Sequence, residues 1–180
     1  MRKLTVEEIA RKRLSPGGAN ERFPIWVLLD NIRSLYNVGS IFRSCDGARI
    51  SRLILCGYTP HPPRREIEKT ALGATQSVPW EYVKEPLAAI ASLKSQGIRL
   101  CVLEQADGSR PYYTLTRDLF PLCLVVGNEI TGVSERIMQE ADLSVEIPMF
   151  GVKQSLNAAV ALGIGLYELV RIWKDGEETR

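Results

Sequence analysis

The residues with chemistry to offer fall in three polar stretches, each just past an apolar run. Leu122 to Val126 leads into Gly127-Asn128-Glu129, with Gly132 and Ser134 close behind. Two glycines and a carboxylate directly after a buried strand make a loop whose backbone N–H groups can face a small ligand; a tight turn without a ligand uses similar residues. Ile25 to Leu29 leads into a segment containing Asn37, Gly39 and Arg43. Gly39 lets the backbone approach a ligand closely. The guanidinium fork of Arg43 matches phosphate oxygens, while a structural ion pair is the plainer use of an arginine among Val38, Gly39, Ile41, Phe42 and Cys45. Six residues from Asn37 to Arg43 is not one helix-face step, so either Arg43 reaches across the turn or Asn37 lies outside the helix.

The third stretch reads IPMFGVKQSLNAAVALGIGL from Ile147 to Leu166. Pro148 and Gly151 bend the chain, and Ser155 is placed to cap a helix. Leu156, Ala159, Val160, Gly163, Ile164 and Tyr167 recur at three- and four-residue steps and predict its apolar face. Ser155 and Asn157 then stand at a helix mouth, where free N–H groups and the positive dipole end favour a polar ligand, although an ordinary cap has the same composition.

Several chemistries drop out. There is no phosphate loop of the G-x-x-x-x-G-K-[ST] type, and Gly163-Ile164-Gly165 falls inside a helical pattern. His61, the one histidine, sits in Pro60-His61-Pro62-Pro63 and reads as a stiff surface turn, which leaves Ser-His chemistry without an obvious base. Cys45, Cys56, Cys101 and Cys123 are far apart with no CxxC pair, so no metal site is expected and the thiols read as buried and reduced.

The elements that must hold these groups follow from hydrophobic patterning. A continuous apolar run at Ile25–Leu29 predicts a strand buried on both faces, and further runs at Leu53–Cys56, Trp80–Val83, Leu100–Leu103, Leu122–Val126 and Leu143–Ile147 read as strands. Helical patterns lie between them at Val38–Ala48, Arg64–Leu72, Leu87–Gln96 and Ser134–Ala141. This alternation predicts an α/β fold, a mostly parallel sheet flanked by helices. In such sheets ligands bind outside the carboxyl ends of the strands, where all three polar stretches begin.

At 180 residues, 45% apolar and 24% charged, the chain is sized for one domain. Residues 1–22 read as a short basic extension and 23–180 as the domain proper. Thr5 and Glu8 form a capping box for a helix at Val6–Arg13, and Ser15-Pro16-Gly17-Gly18 reads as a linker. A net charge of +2 makes any nucleic-acid footprint local. No apolar run approaches the roughly 20 residues of a membrane span, and the N-terminus lacks a signal-peptide core, so a cytoplasmic location is expected.

Taken together, Asn37-x-Gly39-x-x-x-Arg43, Gly127-Asn128-Glu129-x-x-Gly132-Val133-Ser134, and Ile147-Pro148-Met149 followed by Ser155-Leu156-Asn157 resemble the TrmH family of the SPOUT superfamily, RNA methyltransferases that use S-adenosylmethionine. The likeness runs from about Ile25 to Val170, and Lys69 to Ala74 (KTALGA) resembles a further loop common in the family. The resemblance implies a C-terminal deep trefoil knot holding the cofactor through Leu103, Glu104, Gly127, Asn128, Ile147, Met149 and Leu156. It also implies a homodimer and methyl transfer to a ribose 2′-hydroxyl of tRNA or rRNA. By the same likeness Arg43 would be the catalytic residue that contacts the phosphate beside the target ribose and the 2′-oxygen and stabilises the developing alkoxide, with Asn37, Glu129, Ser155 and Asn157 ordering that cluster and the target nucleotide. Arg33, Arg49, Arg64, Arg65 and the N-terminal arm are candidates for the RNA backbone; solvated surface charge, or an Arg64–Glu68 pair, is the alternative. DNA, lacking the 2′-hydroxyl, is not expected as a substrate. A non-catalytic RNA-binding protein of the same fold and a base-directed RNA methyltransferase remain as alternatives.

Overall fold

The computed structural model describes residues 1–13 and 22–176. The proposed linker at residues 15–18 lies outside the described residues. Helix α1, Val6–Arg13, opens with the expected capping box: Glu8 N–H donates to Thr5 Oγ1 at 3.2 Å and Thr5 N–H to Glu8 Oε2 at 2.8 Å. The hydrogen-bonded Arg2 guanidinium, with help from Thr5 N–H, lowers the Glu8 carboxyl to about 2.

Among the described residues, seven strands form one all-parallel sheet: β1 Phe23–Asp30, β2 Ile50–Cys56, β3 Trp80–Val83, β4 Arg99–Leu103, β5 Arg110–Pro111, β6 Leu122–Val126 and β7 Leu143–Glu146. Their order is β3-β2-β1-β6-β4-β7-β5. The apolar runs of β1, β2, β4 and β6 are continuous because both faces are covered. Ile25, Val27 and Leu29 enter one core with Leu122, Leu124 and Val126, while Leu28 enters the other with Cys123 and Val125. The first core is closed by α2 (Leu35–Gly47), α3 (Arg65–Ala71) and α7 (Ala158–Asp175), the second by α5 (Pro86–Ser95) and α6 (Glu135–Glu140); the four-residue α4 (Ala74–Ser77) joins the α2 side. All four cysteines are free and buried, and burial pushes the Cys56 and Cys101 thiols up to about 12, away from thiolate chemistry.

Strand and helix positions match the patterning to within a few residues, with some corrections. The two-residue β5 and the 3₁₀ turns at Tyr112–Thr114 and Arg117–Leu119 were not expected, because segments this short carry no hydrophobic period. Helix α2 begins at Leu35 rather than at Val38, since Ser34 Oγ accepts from Asn37 N–H at 3.2 Å; Asn37 is therefore inside the helix.

Helix α7 begins later than expected. Its cap is Asn157, whose Oδ1 accepts from Ala159 N–H at 2.9 Å and Val160 N–H at 3.4 Å, and Ser155 lies before it in an exposed turn. The core-facing stripe is Ala158, Leu162, Gly165, Leu166, Leu169 and Ile172, whereas Val160 and Tyr167 of the expected stripe are 51% and 53% exposed. Gly39 meets protein rather than ligand: a Cβ there would lie 2.0 Å from Thr70 Oγ1 and 2.3 Å from the Ile67 carbonyl. Its role is to let α2 pack closely on α3.

Candidate functional site

Because the sheet is parallel, β4, β6 and β7 all deliver their following loops to one edge. Leu103 to Gln105, Gly127 to Gly132, and Ile147 to Leu156 line a cleft of ≈ 360 Å³ there, floored by Ala158 and Ala161 of α7. Leu103, Val126, Ile147, Met149 and Leu156 supply apolar wall. Three carboxylates, Glu104, Glu129 and Glu146, line it with no lysine or arginine, so its field favours a cationic ligand. All seven residues expected to hold a cofactor line this one cleft.

The loop after β6 is built on its own side chains. Asn128 is 5% exposed; its Oδ1 accepts from Ile130 N–H at 2.8 Å and Thr131 N–H at 3.0 Å, and its Nδ2 donates to the Asn31 carbonyl and to Tyr58 Oη, both at 2.8 Å. Its backbone pairs with Gly132 in both directions, at 3.0 and 2.9 Å. The side chain is thus fully used within the protein, leaving Asn128 to shape the cleft. Gly132 turns with φ +69°, and a Cβ on it would lie 2.3 Å from Glu104 Oε2, which itself accepts from Val133 N–H at 3.1 Å. A Cβ on Gly127 would lie 2.2 Å from Val133 N, so both glycines serve loop-on-loop packing. Gln105 Nε2 donates to the Gln154 carbonyl at 2.6 Å and ties the first wall to the third.

Beside the cleft, Glu129 sits over the N-terminus of α2. Its carboxylate accepts from Arg33 N–H at 2.9 Å, Ser34 N–H at 3.1 Å and Asn37 Nδ2 at 2.9 Å, which uses donors the helix leaves open and opposes the dipole. Partial burial pushes this carboxyl up, but the bonds from Arg33, from its own backbone, from Asn37 and from Ser34 together outweigh burial and hold it below the ordinary range. Asn157 Nδ2 donates to Asn37 Oδ1 at 3.1 Å, so Asn157 at the start of α7, Asn37 in α2 and Glu129 in the loop after β6 form one hydrogen-bonded chain. Ser155 lines the cleft without joining that chain.

Arg43 lies elsewhere. It is exposed on another face of α2, in a groove with Ser40, Ser44, Lys69, Thr70, Leu72 and Tyr167, and makes no ion pair or hydrogen bond among the described residues. Exposure removes the cost of placing it on an apolar helix. Arg33, Arg64 and Arg65 are exposed: Arg33 follows the carboxyl end of β1, and Arg64 and Arg65 open α3 at the end of the loop that follows β2. Glu68 takes the Thr75 hydroxyl at 2.9 Å rather than pairing with Arg64. Arg49 precedes β2, at the opposite edge, with its guanidinium 5.6 Å from the Phe23 ring centre. Glu146, Gln105 and Gln154 were not picked out from sequence; their positions after β4 and around the exit of β7 were the only signal available.

A model described as the SpoU rRNA Methylase family matches residues 24–167 of the chain. A tRNA (guanosine(18)-2′-O)-methyltransferase of Aquifex aeolicus is 35% identical over 171 residues, 92% of this chain and 78% of that protein. A Staphylococcus haemolyticus protein named for the TrmH family of tRNA/rRNA methyltransferases is 32% identical over 145 residues, 81% of this chain; the chain spans 57% of that relative's length. Among solved structures, the SpoU methyltransferase AviRb of Streptomyces viridochromogenes in complex with AdoMet superposes with a TM-score of 0.79 at 29% identity, covering 87% of this chain and 63% of that one.

Proposed function

The chain belongs to the SpoU rRNA methylase family, and from that premise we propose that it transfers a methyl group from S-adenosylmethionine to a ribose 2′-hydroxyl of tRNA or rRNA. The observation that carries this reading is the cleft itself: apolar walls, three carboxylates and no cation, opening beside the Asn157–Asn37–Glu129 chain. Those surroundings suit a ligand with an aromatic base at one end and a sulfonium and ammonium at the other. Leu103, Glu104, Gly127, Ile147, Met149 and Leu156 would hold it, with Asn128 keeping the loop beneath them in shape. When bound, the cofactor supplies a methyl group on an excellent leaving group.

What the protein then has to do is align the nucleophile and relieve it of its proton. Glu129 is already engaged by three donors and held in its ionised form, so it orders the start of α2 rather than taking that proton. Asn37, Asn157 and Ser155 orient the target nucleotide at the cleft mouth. Arg43 grips an RNA phosphate from its exposed groove; a guanidinium stays charged at working pH, which suits a phosphate contact and not a base. Arg33, Arg64 and Arg65 extend the backbone contacts.

The same reading includes a homodimer, the knotted C-terminal segment and a reducing, cytoplasmic setting. The dimer is supported by the apolar surface of Val160, Tyr167, Phe150, Val152 and Leu156, which this chain leaves exposed around the cleft and α7. The reducing setting is supported by the four free thiols. No helix among the described residues is long and apolar enough to cross a membrane. Light scattering that shows only monomer at working concentration would remove the dimer. The reaction is tested with methyl-labelled S-adenosylmethionine and unmodified tRNA and rRNA fractions, digested to nucleosides: a labelled 2′-O-methylnucleoside is expected. A labelled base would establish the base-directed alternative, and no cofactor binding at all would leave the non-catalytic RNA-binding one.

A further inference from the structure

Beyond the cleft and the phosphate contacts, one aromatic side chain is held in place without being buried. Tyr58, two residues past the end of β2, is 61% exposed. A large apolar ring left in water gains little from being ordered, and fixing it costs side-chain entropy. Yet the protein fixes it at both ends. Its hydroxyl accepts from Asn128 Nδ2 at 2.8 Å, and its backbone N–H donates to Asn31 Oδ1 at 3.0 Å. The turn beneath it is held as well: the Tyr82 hydroxyl donates to the Gly57 carbonyl at 2.7 Å, and Asn31 adopts a left-handed conformation with φ 58° to reach this position. His61 packs against Tyr82 with ring centres 4.6 Å apart, stiffening the far side of the same turn.

Tyr58 is tied to Asn128, the residue next to Glu129 in the cleft-forming loop, so its ring belongs to the same rim as the site. The segments on either side of it carry the exposed Arg33, Arg64 and Arg65. A pre-ordered, exposed aromatic ring with cations on the flanking segments is the arrangement that binds an unpaired nucleobase by stacking, with the backbone phosphates held by those segments. The geometry points to Tyr58 as a stacking platform for an unpaired base of the RNA close to the target ribose. This inference rests on the RNA-methyltransferase reading and adds to it a requirement that the RNA be single-stranded or looped at that point.

The test measures RNA binding rather than turnover. Full-length protein is titrated with a mixed-sequence single-stranded 12-nucleotide RNA and with a duplex of the same length, and S-adenosylmethionine binding is measured alongside to report an intact cleft. Stacking of one base on an aromatic ring is worth ~1–3 kcal/mol, so Tyr58→Ala should weaken single-strand binding about 5- to 150-fold and leave duplex binding nearly unchanged. Tyr58→Phe keeps the ring and loses the tether, and should stay well above Tyr58→Ala. Tyr58→Trp should bind the single strand as well as the native protein does, with its fluorescence quenched on addition of that RNA and not of the duplex. Tyr58→Ala binding like the native protein would overturn the proposal, as would Tyr58→Phe falling as far as Tyr58→Ala, which would mark the hydroxyl tie as the part that matters. If the native protein binds neither RNA, it is the RNA reading as a whole that fails.

Discussion

The exchange of Asn128 for aspartate changes one NH₂ to O in a site where every atom has a partner. Asn128 Oδ1 keeps the Ile130 and Thr131 N–H groups, since either carboxylate oxygen accepts as the amide oxygen does. The other atom turns from a donor of two bonds into an acceptor. Tyr58 can adapt by rotating its hydroxyl to donate, but the Asn31 carbonyl cannot, so one bond is lost and two oxygens face each other at the former 2.8 Å. Losing a hydrogen bond costs ~0.5–1.5 kcal/mol. A carboxylate at a position only 5% exposed and without a cationic partner adds further desolvation, for a total of about 2–4 kcal/mol. Against a typical stability of ~5–15 kcal/mol, and at ~2–4 °C per kcal/mol for a chain of this size, the melting temperature should fall by about 4–16 °C. The new carboxyl has a folded-state pKa raised above its unfolded value of ~3.9, because its protonated form can donate to the Asn31 carbonyl. The deficit should therefore be full above that raised pKa and shrink as pH falls toward 4. Urea denaturation of both proteins between pH 4 and 8 measures this. A deficit below ~0.5 kcal/mol at pH 7, or one that grows on acidification, would refute the assignment of Asn128 as the donor that closes this loop.

Other perturbations separate the remaining roles. Gly39→Ala drives a methyl group into Thr70 and the Ile67 carbonyl, so it should destabilise by about 1–3 kcal/mol in denaturant titration while S-adenosylmethionine binding survives in the folded fraction; normal stability with lost ligand binding would return Gly39 to the ligand. Glu129→Gln removes the charge that three donors share; after discounting for its exposure, about 1 kcal/mol of stability should go. The native carboxyl is depressed, so this difference should be constant above the unfolded pKa of ~4.3 and vanish as pH falls through the folded value. Arg43→Ala should abolish nearly all methyl transfer and leave S-adenosylmethionine affinity, read by calorimetry, within a few-fold; substantial remaining turnover would remove Arg43 from the reaction.

Much of the architecture was legible because hydrophobic period is a local property. Ile25–Leu29 and Leu122–Val126 are apolar at every position, and that is what a strand covered on both faces requires. Position after a strand then located all three polar stretches at one sheet edge. Misreadings came where two local signals competed. Ser155 and Asn157 are both good caps, and choosing the earlier one rotated the expected face of α7 onto residues that are in fact half exposed. Gly39 fits a close approach by ligand or by helix equally well, and only the position of α3 distinguishes them.

By itself the sequence determined the α/β class, six of the seven described strands and the burial of the thiols, since each follows from the burial pattern; the cleft residues it named came from a family resemblance, and Gln105, Glu146 and Gln154 escaped it. Only the tertiary structure decided which polar groups are spent on one another. Asn128 reaches Asn31 and Tyr58, 97 and 70 residues away, and Asn157 reaches Asn37 across 120. Hydrogen bonds are short-ranged and directional, so whether an asparagine is free for a ligand or saturated by its neighbours depends on how strands far apart in sequence come to lie side by side. The separation of Arg43 from the cleft has the same origin: the helical twist between residues 37 and 43 turns it to a different face, and the packing of α3 and α7 makes that face a groove.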